Sequence, residues 1–157
     1  MAGLRQHIWK QLCSIEQLNS FMTKAHPHKT ILHTLGIQYT KIGDNYLEAT
    51  MPVDHRTHQP YGILHGGASV VLAESLGSFA SVLVAGADHL VVGIEVSASH
   101  LRSVKSGSVT GRATPLRLGK SLHVWEINIH ETGKEDDGLV CHSKLTVMVK
   151  PSHTKHA

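Results

Sequence analysis

One carboxylate, Glu74, stands in a long apolar stretch that runs from Tyr61 to Ala87 and contains no Lys, Arg or Asp. Burying an ionised carboxylate costs several kcal/mol unless a partner compensates the charge, so a lone Glu is almost never fully buried. The apolar pattern predicts that the helix carrying this residue is buried on nearly all sides. We therefore expect Glu74 to be buried and to be kept there for chemistry.

The second candidate is the tripeptide His65-Gly66-Gly67, which opens the same predicted helix. The first N–H groups of a helix have no internal partner and point outward at the positive end of the helix dipole. Two glycines let a ligand approach this main chain closely, so the turn can bind a developing oxyanion. Gln59 precedes the turn, and Ser78 follows Glu74 by one helical turn on the same face.

The spacing of these groups limits how they can cooperate. Gly66 and Glu74 are eight residues apart on one helix, which at about 1.5 Å per residue separates them by roughly 12 Å. A nucleophile must come within about 3–3.5 Å of the carbon it attacks, and the oxyanion donor must lie about 3 Å from the oxygen. One helix cannot meet both demands. Two copies packed antiparallel across a two-fold axis can, which predicts a homodimer with two shared active sites.

Hydrophobic periodicity predicts the elements that position these residues. Residues 7–25 have the spacing of a helix that breaks at His26-Pro27-His28, and a long central helix begins at Gly66. Alternation predicts two strands before the central helix and four after it, at 36–42, 46–53, 90–101, 108–118, 121–130 and 139–150.

The apolar faces of these elements follow from the same patterns. The helix stripe consists of Ala68, Val71, Leu72, Leu76, Phe79, Val82 and Leu83. The strand at 121–130 has Leu122, Val124, Ile127 and Ile129 on one face, with a slip in the alternation at Trp125. Short connections at 118–120 and 131–138 predict antiparallel hairpins.

An antiparallel sheet wrapped around one long central helix satisfies this order, and that α+β arrangement is the hot-dog fold. We expect one domain over 1–157, with an N-terminal helical segment at 1–35 and a frayed tail at 151–157. An isolated sheet of this kind leaves an edge strand open. We therefore expect a homodimer, with dimers paired into a homotetramer.

Charge and composition argue against several other functions. Basic residues exceed acidic ones by 15 to 12, and five basic residues fall between Arg102 and Lys120. That strip suits a polyanionic small molecule, and we expect no nucleic-acid partner because no aromatic residues are interleaved for base stacking. A membrane span over 66–87 would place Glu74 near its middle, so we expect none. His55, His58 and His65 lack metal-ligand spacing, so we expect no metal.

The cysteines indicate a compartment. Cys13 and Cys141 lie far apart with no Cys-x-x-Cys spacing, which is typical of the reducing cytosol rather than of a disulfide framework. The N-terminal residues MAGLRQHIWKQL lack the continuous apolar run of a secretory signal. We expect a cytoplasmic protein.

The run from Glu48 to Ser78, EATMPVDHRTHQPYGILHGGASVVLAESLGS, resembles the hot-dog acyl-CoA thioesterases of the phenylacetic-acid-pathway type. Its likeness is greatest to the bacterial subgroup that cleaves 1,4-dihydroxy-2-naphthoyl-CoA in menaquinone synthesis, and to the enterobactin-pathway proofreading relative of that subgroup. The chain departs from the family at 23–33 and in the acidic hairpin at 131–138. Further matches lie at Trp9-Lys10, Val91-Val92-Gly93, Ser99 to Arg102, Leu118-Gly119-Lys120 and Trp125.

The resemblance implies a role for each residue of the predicted site. Glu74 would be the nucleophile or the general base. The Gly66 N–H, helped by the side chain of Gln59, would polarise the thioester carbonyl. His65 would lie beside the thioester, and the Ser78 hydroxyl would orient the carboxylate or a water molecule.

The same resemblance implies where coenzyme A would bind. His100 and Arg102 would meet the CoA phosphates together with the turn that contains Gly119 and Lys120. Because coenzyme A is then part of the substrate, we expect no separate cofactor. The expected reaction is hydrolysis of an aromatic or medium-chain acyl-CoA to the free acid and CoA.

Two other functions stay open at this point. Hot-dog hydratases and dehydratases also act on acyl thioesters through an acid/base pair near a helix start, although a Glu nine residues after the His suits hydrolysis better. A module that binds CoA esters without turnover would use the same cleft, although such a protein would have little use for a buried acid.

Overall fold

One six-stranded antiparallel sheet and one long helix make up the fold in a computed structural model that describes residues 14–16, 18–20, 29–86, 88–134 and 137–152. Each predicted strand and the central helix are present, with strand bounds within two residues of expectation, which confirms the hot-dog fold. The helices are α1 Ile31–Leu35 and α2 Gly66–Ala85, and the strands are β1 Gln38–Ile42, β2 Leu47–Pro52, β3 His89–His100, β4 Ser108–Leu118, β5 Leu122–Glu131 and β6 Leu139–Pro151.

The strand order, β1-β2-β4-β5-β6-β3, places β3 at one edge of the sheet. The chain leaves β2, crosses one face of the sheet through α2 to this edge, and returns so that β4 pairs with β2. The predicted hairpins β4–β5 and β5–β6 are confirmed. On the return, loop 101–107 passes the beginning of α2, where the Leu64 N–H donates to the Val104 carbonyl over 2.8 Å.

Helix α2 packs closely on the sheet because glycines leave room for its large side chains. Leu72 and Leu76 are fully buried above Gly111, where an added Cβ would lie 2.6 Å from Leu76 Cδ1. The Trp125 indole N–H donates to Ser81 Oγ over 2.7 Å and ties β5 to the helix inside the core. Burial of each Leu side chain stabilises the fold by roughly 1.5–3 kcal/mol. The packing of Leu72 and Leu76 on the sheet therefore holds the helix in place.

The apolar face of β5 differs from the prediction. Leu122 is 42% exposed and Val124 is half-buried, whereas His123 and Trp125 point into the core with Ile127 and Ile129. The alternation therefore contains no slip. Trp125 faces inward because its indole bonds to the helix, and this fixes the register of the whole strand.

The expectation that α2 is buried on nearly all sides, and Glu74 with it, is wrong for the single chain. The sheet leaves part of the helix surface uncovered, and Glu74 and Val82 are exposed there. A periodicity pattern shows which residues of a helix are apolar or small, but it does not show how much of the helix surface other elements of the fold cover. Because Glu74 is exposed in the single chain, its carboxylate has no desolvation cost there.

Part of the predicted N-terminal helix lies within the described residues. Residues 15–16 and 18–20 are helical, and Leu18 is fully buried against the core. The Asn19 side chain donates to the Tyr39 carbonyl over 3.0 Å, which ties this segment to β1. The remainder of 7–25, the break at 26–28 and most of the predicted tail lie outside the described residues.

Helix α2 is also long and apolar enough, by length and composition alone, to cross a membrane. More than half of its most apolar window is buried inside the fold. Its apolar side chains thus have a protein partner in the sheet, as in the central helix of a hot-dog domain.

Candidate active site

A cleft of about 510 Å³ opens at the beginning of α2. Three segments form it: the turn before the helix, the first residues of the helix, and the end of β3 with the loop that follows. Five of the predicted site residues lie together in its wall. They are Gln59, His65, Gly66, His100 and Arg102, and Ile63, Ser69, Leu101 and Ser103 complete the lining together with Pro60, Leu64 and Val140.

The helix begins with one unused N–H directed at this cleft. His65 is the N-cap, and its Nδ1 accepts a hydrogen bond from the Gly67 N–H over 2.8 Å. The N–H groups of Ala68 and Ser69 both bond to the His65 carbonyl. Among the described residues no acceptor takes the Gly66 N–H, so this donor is available to a ligand.

The capping bond also fixes the tautomer of His65. A backbone N–H can only donate, so Nδ1 must be unprotonated, and the proton of the neutral imidazole is then on Nε2. His65 is exposed at the cleft, where its Nε2–H is a second potential donor. The residue therefore acts both as helix cap and as cleft donor.

The Gln59 carboxamide is oriented in the same way. Its Oε1 accepts from the Tyr61 N–H over 3.0 Å, and the Gly62 N–H donates to the Gln59 carbonyl to close the turn. Because the oxygen of the amide is occupied, the NH₂ group is the free end. Gln59 lines the same cleft as Gly66, and its NH₂ group is available there as a donor.

His100 and Arg102 follow at the end of β3. The His100 imidazole lies directly against the helix start, since a Cβ on Gly66 would approach its Nε2 to 2.6 Å. Arg102 is exposed and lies 3.7 Å from the carboxylate of Asp137 in the β5–β6 hairpin. The acidic hairpin therefore reaches a residue of the predicted CoA site.

Glu74 lies outside the cleft, on the exposed side of α2. No hydrogen bond or ion pair within the described part of the chain involves its carboxylate. Its Oε1 lies 2.7 Å from the position that a Cβ on Gly93 of β3 would occupy. Ser78 is half-buried one turn further along. Gly93 was given no role by the sequence argument, although a lone glycine inside a β-branched strand often indicates a close approach of another group.

Gly119 and Lys120 lie at the opposite end of the sheet from the cleft. The Ser121 carbonyl accepts from the Val149 N–H, and Val149 pairs with Val91 near the beginning of β3. His100, at the cleft, is nine residues further along the strand, or roughly 30 Å away at about 3.3 Å per residue. One chain therefore does not bring the two halves of the predicted CoA site together.

Other reactive groups near the cleft have ordinary structural roles. Cys141 pairs with His100 across β6 and β3, is fully buried, and burial raises the pKa of its thiol, so it is no nucleophile for this cleft. His58 Nε2 lies 3.0 Å from the Lys105 carbonyl. No group of three potential metal ligands occurs among the described residues.

Comparison with known proteins identifies the family. The thioesterase superfamily matches residues 61–141. The proofreading thioesterase EntH of Cronobacter turicensis is 48% identical over 142 residues, which cover 90% of this chain and 98% of that protein. The 1,4-dihydroxy-2-naphthoyl-CoA hydrolase of Escherichia coli K12 is 46% identical over 142 residues, with coverage of 90% and 98%.

The solved structures agree. The crystal structure of a thioesterase from Haemophilus influenzae superposes with a TM-score of 0.83 at 43% identity, covering 96% of this chain and 99% of that one. These relatives are named for ester and thioester hydrolysis, which favours hydrolysis over hydration or simple binding. The chain belongs to the thioesterase superfamily and is a hot-dog thioester hydrolase.

Proposed function

We propose that the protein hydrolyses an aromatic or medium-chain acyl-CoA to the free acid and CoA. The observation that carries the proposal is the cleft at the beginning of α2, where the Gly66 N–H is free and Gln59 and His65 present further donors. Negative charge that develops on a thioester oxygen there meets the positive end of the helix dipole. A single donor of this kind is worth roughly 3–4 kcal/mol of transition-state stabilisation.

The attacking group in this proposal is the partner's Glu74. The Glu74 of the same helix is roughly 12 Å from Gly66, too far for one thioester to reach both. Its exposure and its lack of a charged partner within the described residues support a position that a second chain completes. Glu74 either attacks the carbonyl itself or removes a proton from the attacking water, and the C–S bond then breaks to release the CoA thiolate.

The open edge of the sheet supports this dimer. Among the described residues, strand β3 pairs with β6 alone, and Leu90, Val92 and Ile94 are 46%, 40% and 53% exposed along it. Antiparallel pairing of this strand with its copy would cover the edge and run the two α2 helices in opposite directions. The middle of each helix then faces the start of the other.

The same pairing unites the two halves of the CoA site. An antiparallel copy brings the turn at 118–120 of one chain to the cleft end of the other, since these lie at opposite ends of β3. Lys120 of the partner subunit would then join Arg102 around the CoA phosphates. We further propose that such dimers pair into a tetramer.

The names of the relatives suggest the acyl group. One relative is a 1,4-dihydroxy-2-naphthoyl-CoA hydrolase and another a proofreading thioesterase, so we propose an aromatic acyl group, with menaquinone biosynthesis as one setting. Free CoA esters are cytoplasmic metabolites, and we propose the cytoplasm as the site of action.

A panel of acyl-CoA esters tests this proposal. CoA release is followed with a thiol reagent for benzoyl, hydroxybenzoyl, 1,4-dihydroxy-2-naphthoyl and medium-chain esters, with Glu74→Gln as the inactive control. We expect release that is fastest with aromatic esters. Conversion of an enoyl-CoA without CoA release would identify a hydratase, and tight binding of intact ester would identify a binding module; either result would contradict the proposal.

A further inference from the structure

Gly93 of β3 differs from Gly77 and Gly111, two other glycines at the contact between the helix and the sheet. A Cβ on Gly77 or Gly111 would meet the core residues Leu145 and Leu76. A Cβ on Gly93 would lie 2.7 Å from Oε1 of Glu74, with the Cδ and Cγ atoms of that residue next at 3.6 and 3.7 Å. The missing side chain at Gly93 therefore accommodates the candidate catalytic carboxylate.

The backbone itself does not require a glycine at this position. The glycines with positive φ are Gly36, Gly62, Gly86, Gly107 and Gly133, and Gly93 is not among them. An alanine could therefore adopt the local strand conformation without strain. The group that a side chain at Gly93 would displace is the Glu74 carboxylate.

A β-bulge beside Gly93 removes a competing charge from the same face. Gly93 and Val96 both pair with core-facing residues of β6, and the register shifts between Gly93 and Glu95. In a regular strand Glu95 would share the face of Gly93 and lie near Glu74. With the bulge it pairs instead with Thr146 on the opposite face, where it accepts a hydrogen bond from the Thr146 hydroxyl over 3.2 Å.

We infer that Gly93 is a positioning residue for Glu74: its bare Cα, with the adjacent bulge, forms a socket that sets where the catalytic carboxylate lies. This inference rests on the proposed function, since it takes Glu74 as the attacking group or base. Among the described residues no hydrogen bond to the carboxylate occurs, so steric contact with Gly93 is the feature that limits its position in this inference. It leaves both carboxylate oxygens free for a water or a carbonyl carbon.

The variant Gly93→Ala tests the socket. The added methyl group displaces the end of a flexible, exposed side chain, so we expect an unchanged Tm. A shift of about 1 Å in a reacting group can cost on the order of a hundredfold in rate, so we expect kcat to fall ten- to a hundredfold with KM within about twofold of wild type.

Two control variants separate positioning from packing. Gly111→Ala adds the same methyl group against Leu76 in the core, and we expect it to lower Tm while kcat of the folded fraction is preserved. Lys144→Ala truncates an exposed side chain of the neighbouring strand β6 on the opposite face of the sheet, and we expect both values to stay near wild type. The opposite behaviour of the two glycine variants is the signature of the socket.

Three outcomes would overturn the inference. A normal kcat in Gly93→Ala would show that the contact does not matter, and a raised KM with normal kcat would make Gly93 a substrate contact instead. In a Glu74→Gln background the Gly93→Ala change should have little further effect on kcat; an undiminished effect would mean that it acts by another route.

A structural measurement tests the position of the Glu74 carboxylate even if the wild type releases no CoA and the proposed function is wrong. Crystal structures of wild type and Gly93→Ala should then still show the Glu74 carboxylate moved away from β3 in the variant. A carboxylate in the same place in both structures would contradict the inference independently of any activity.

Discussion

The beginning and the middle of helix α2 are built very differently. At the beginning, His65 caps the helix, Gln59 is held by its own turn, and the Gly66 N–H stays free in a formed cleft. In the middle, Glu74 is exposed and its carboxylate packs against Gly93 of β3. In the proposed mechanism, one chain therefore completes the part that stabilises negative charge and leaves the attacking part unfinished.

This difference indicates what a second chain has to provide. Preorganised donors need a rigid frame, and a helix start with a capping side chain supplies one within a single chain. In the proposed mechanism the carboxylate needs a position relative to the other helix, because Gly66 and Glu74 of one helix are roughly 12 Å apart.

Removing the charge in the middle of α2 should have the largest effect. Glu74→Gln is nearly isosteric and lies at an exposed position, so we expect an unchanged Tm and a fall in kcat of about a thousandfold or more. Glu95→Gln is the matched control, because that carboxylate lies on the opposite face of β3. Steady-state turnover of both variants measures the effect, and near-normal kcat in Glu74→Gln would refute the assignment.

Two substitutions of His65 should separate its two roles at the beginning of α2. His65→Ala removes both the cap and the cleft donor, and loss of an N-cap costs about 1 kcal/mol of stability. His65→Asn keeps an acceptor for the Gly67 N–H but lacks the Nε2–H. We expect a lower Tm only in the Ala variant and a kcat about tenfold lower in both. Equal Tm values for the two variants would contradict the capping role.

Charges at the rim of the cleft should affect binding rather than chemistry. Arg102→Ala should raise KM severalfold with kcat unchanged, and the effect should shrink in high salt because exposed charges are screened within about 10 Å at 0.1 M. Asp137→Asn should lower KM by less than about threefold, since it frees Arg102 from a weak exposed ion pair. An unchanged KM for Arg102→Ala at low salt would place the CoA phosphates elsewhere.

The smallest effect concerns stability at the far end of the sheet. His123 is buried, and burial lowers the pKa of its imidazole below the ordinary 6.5. As the pH falls, the imidazole of His123 is therefore protonated in the unfolded chain before it is protonated in the folded chain. The contribution of neutral His123 to the free energy of unfolding is fully present above pH 6.5 and is lost as the pH falls from 6.5 towards the lower pKa of the folded form. Tm measured from pH 8 to pH 5 should fall less steeply in His123→Gln than in wild type. Parallel curves would contradict this.

The elements of the fold were predictable because each carries a local signal. The alternation of Leu47, Ala49 and Met51 in β2 and the apolar run of α2, with Glu74 as its one charged residue, predicted these elements to within two residues. The inward direction of His123 was not predictable, because the bond between Trp125 and Ser81 that sets it joins residues distant in sequence.

The candidate site was predictable in part. The cap and free N–H of the helix start follow from the order His65-Gly66-Gly67, which is local. The exposure of Glu74 and the role of Gly93 depend on which side of the helix the sheet covers and on a bulge in a distant strand. Likewise, the separation of Lys120 from Arg102 follows from the strand order, which no short pattern encodes.

The shared site is the central claim, and hybrid dimers test it most directly. Glu74→Gln and Gln59→Ala, each impaired alone, are unfolded together in equal amounts, refolded and assayed. In a hybrid dimer one site carries both defects and the other carries none, so random pairing should restore about a quarter of wild-type activity.

The matched control pairs Glu74→Gln with the double variant Glu74→Gln/Gln59→Ala, which has no intact site in any combination and should stay inactive. Recovery to about a quarter in the first mixture, and none in the control, is the result we predict. A correctly refolded first mixture that stays as inactive as its parents would mean that each chain completes its own site, and would contradict the account.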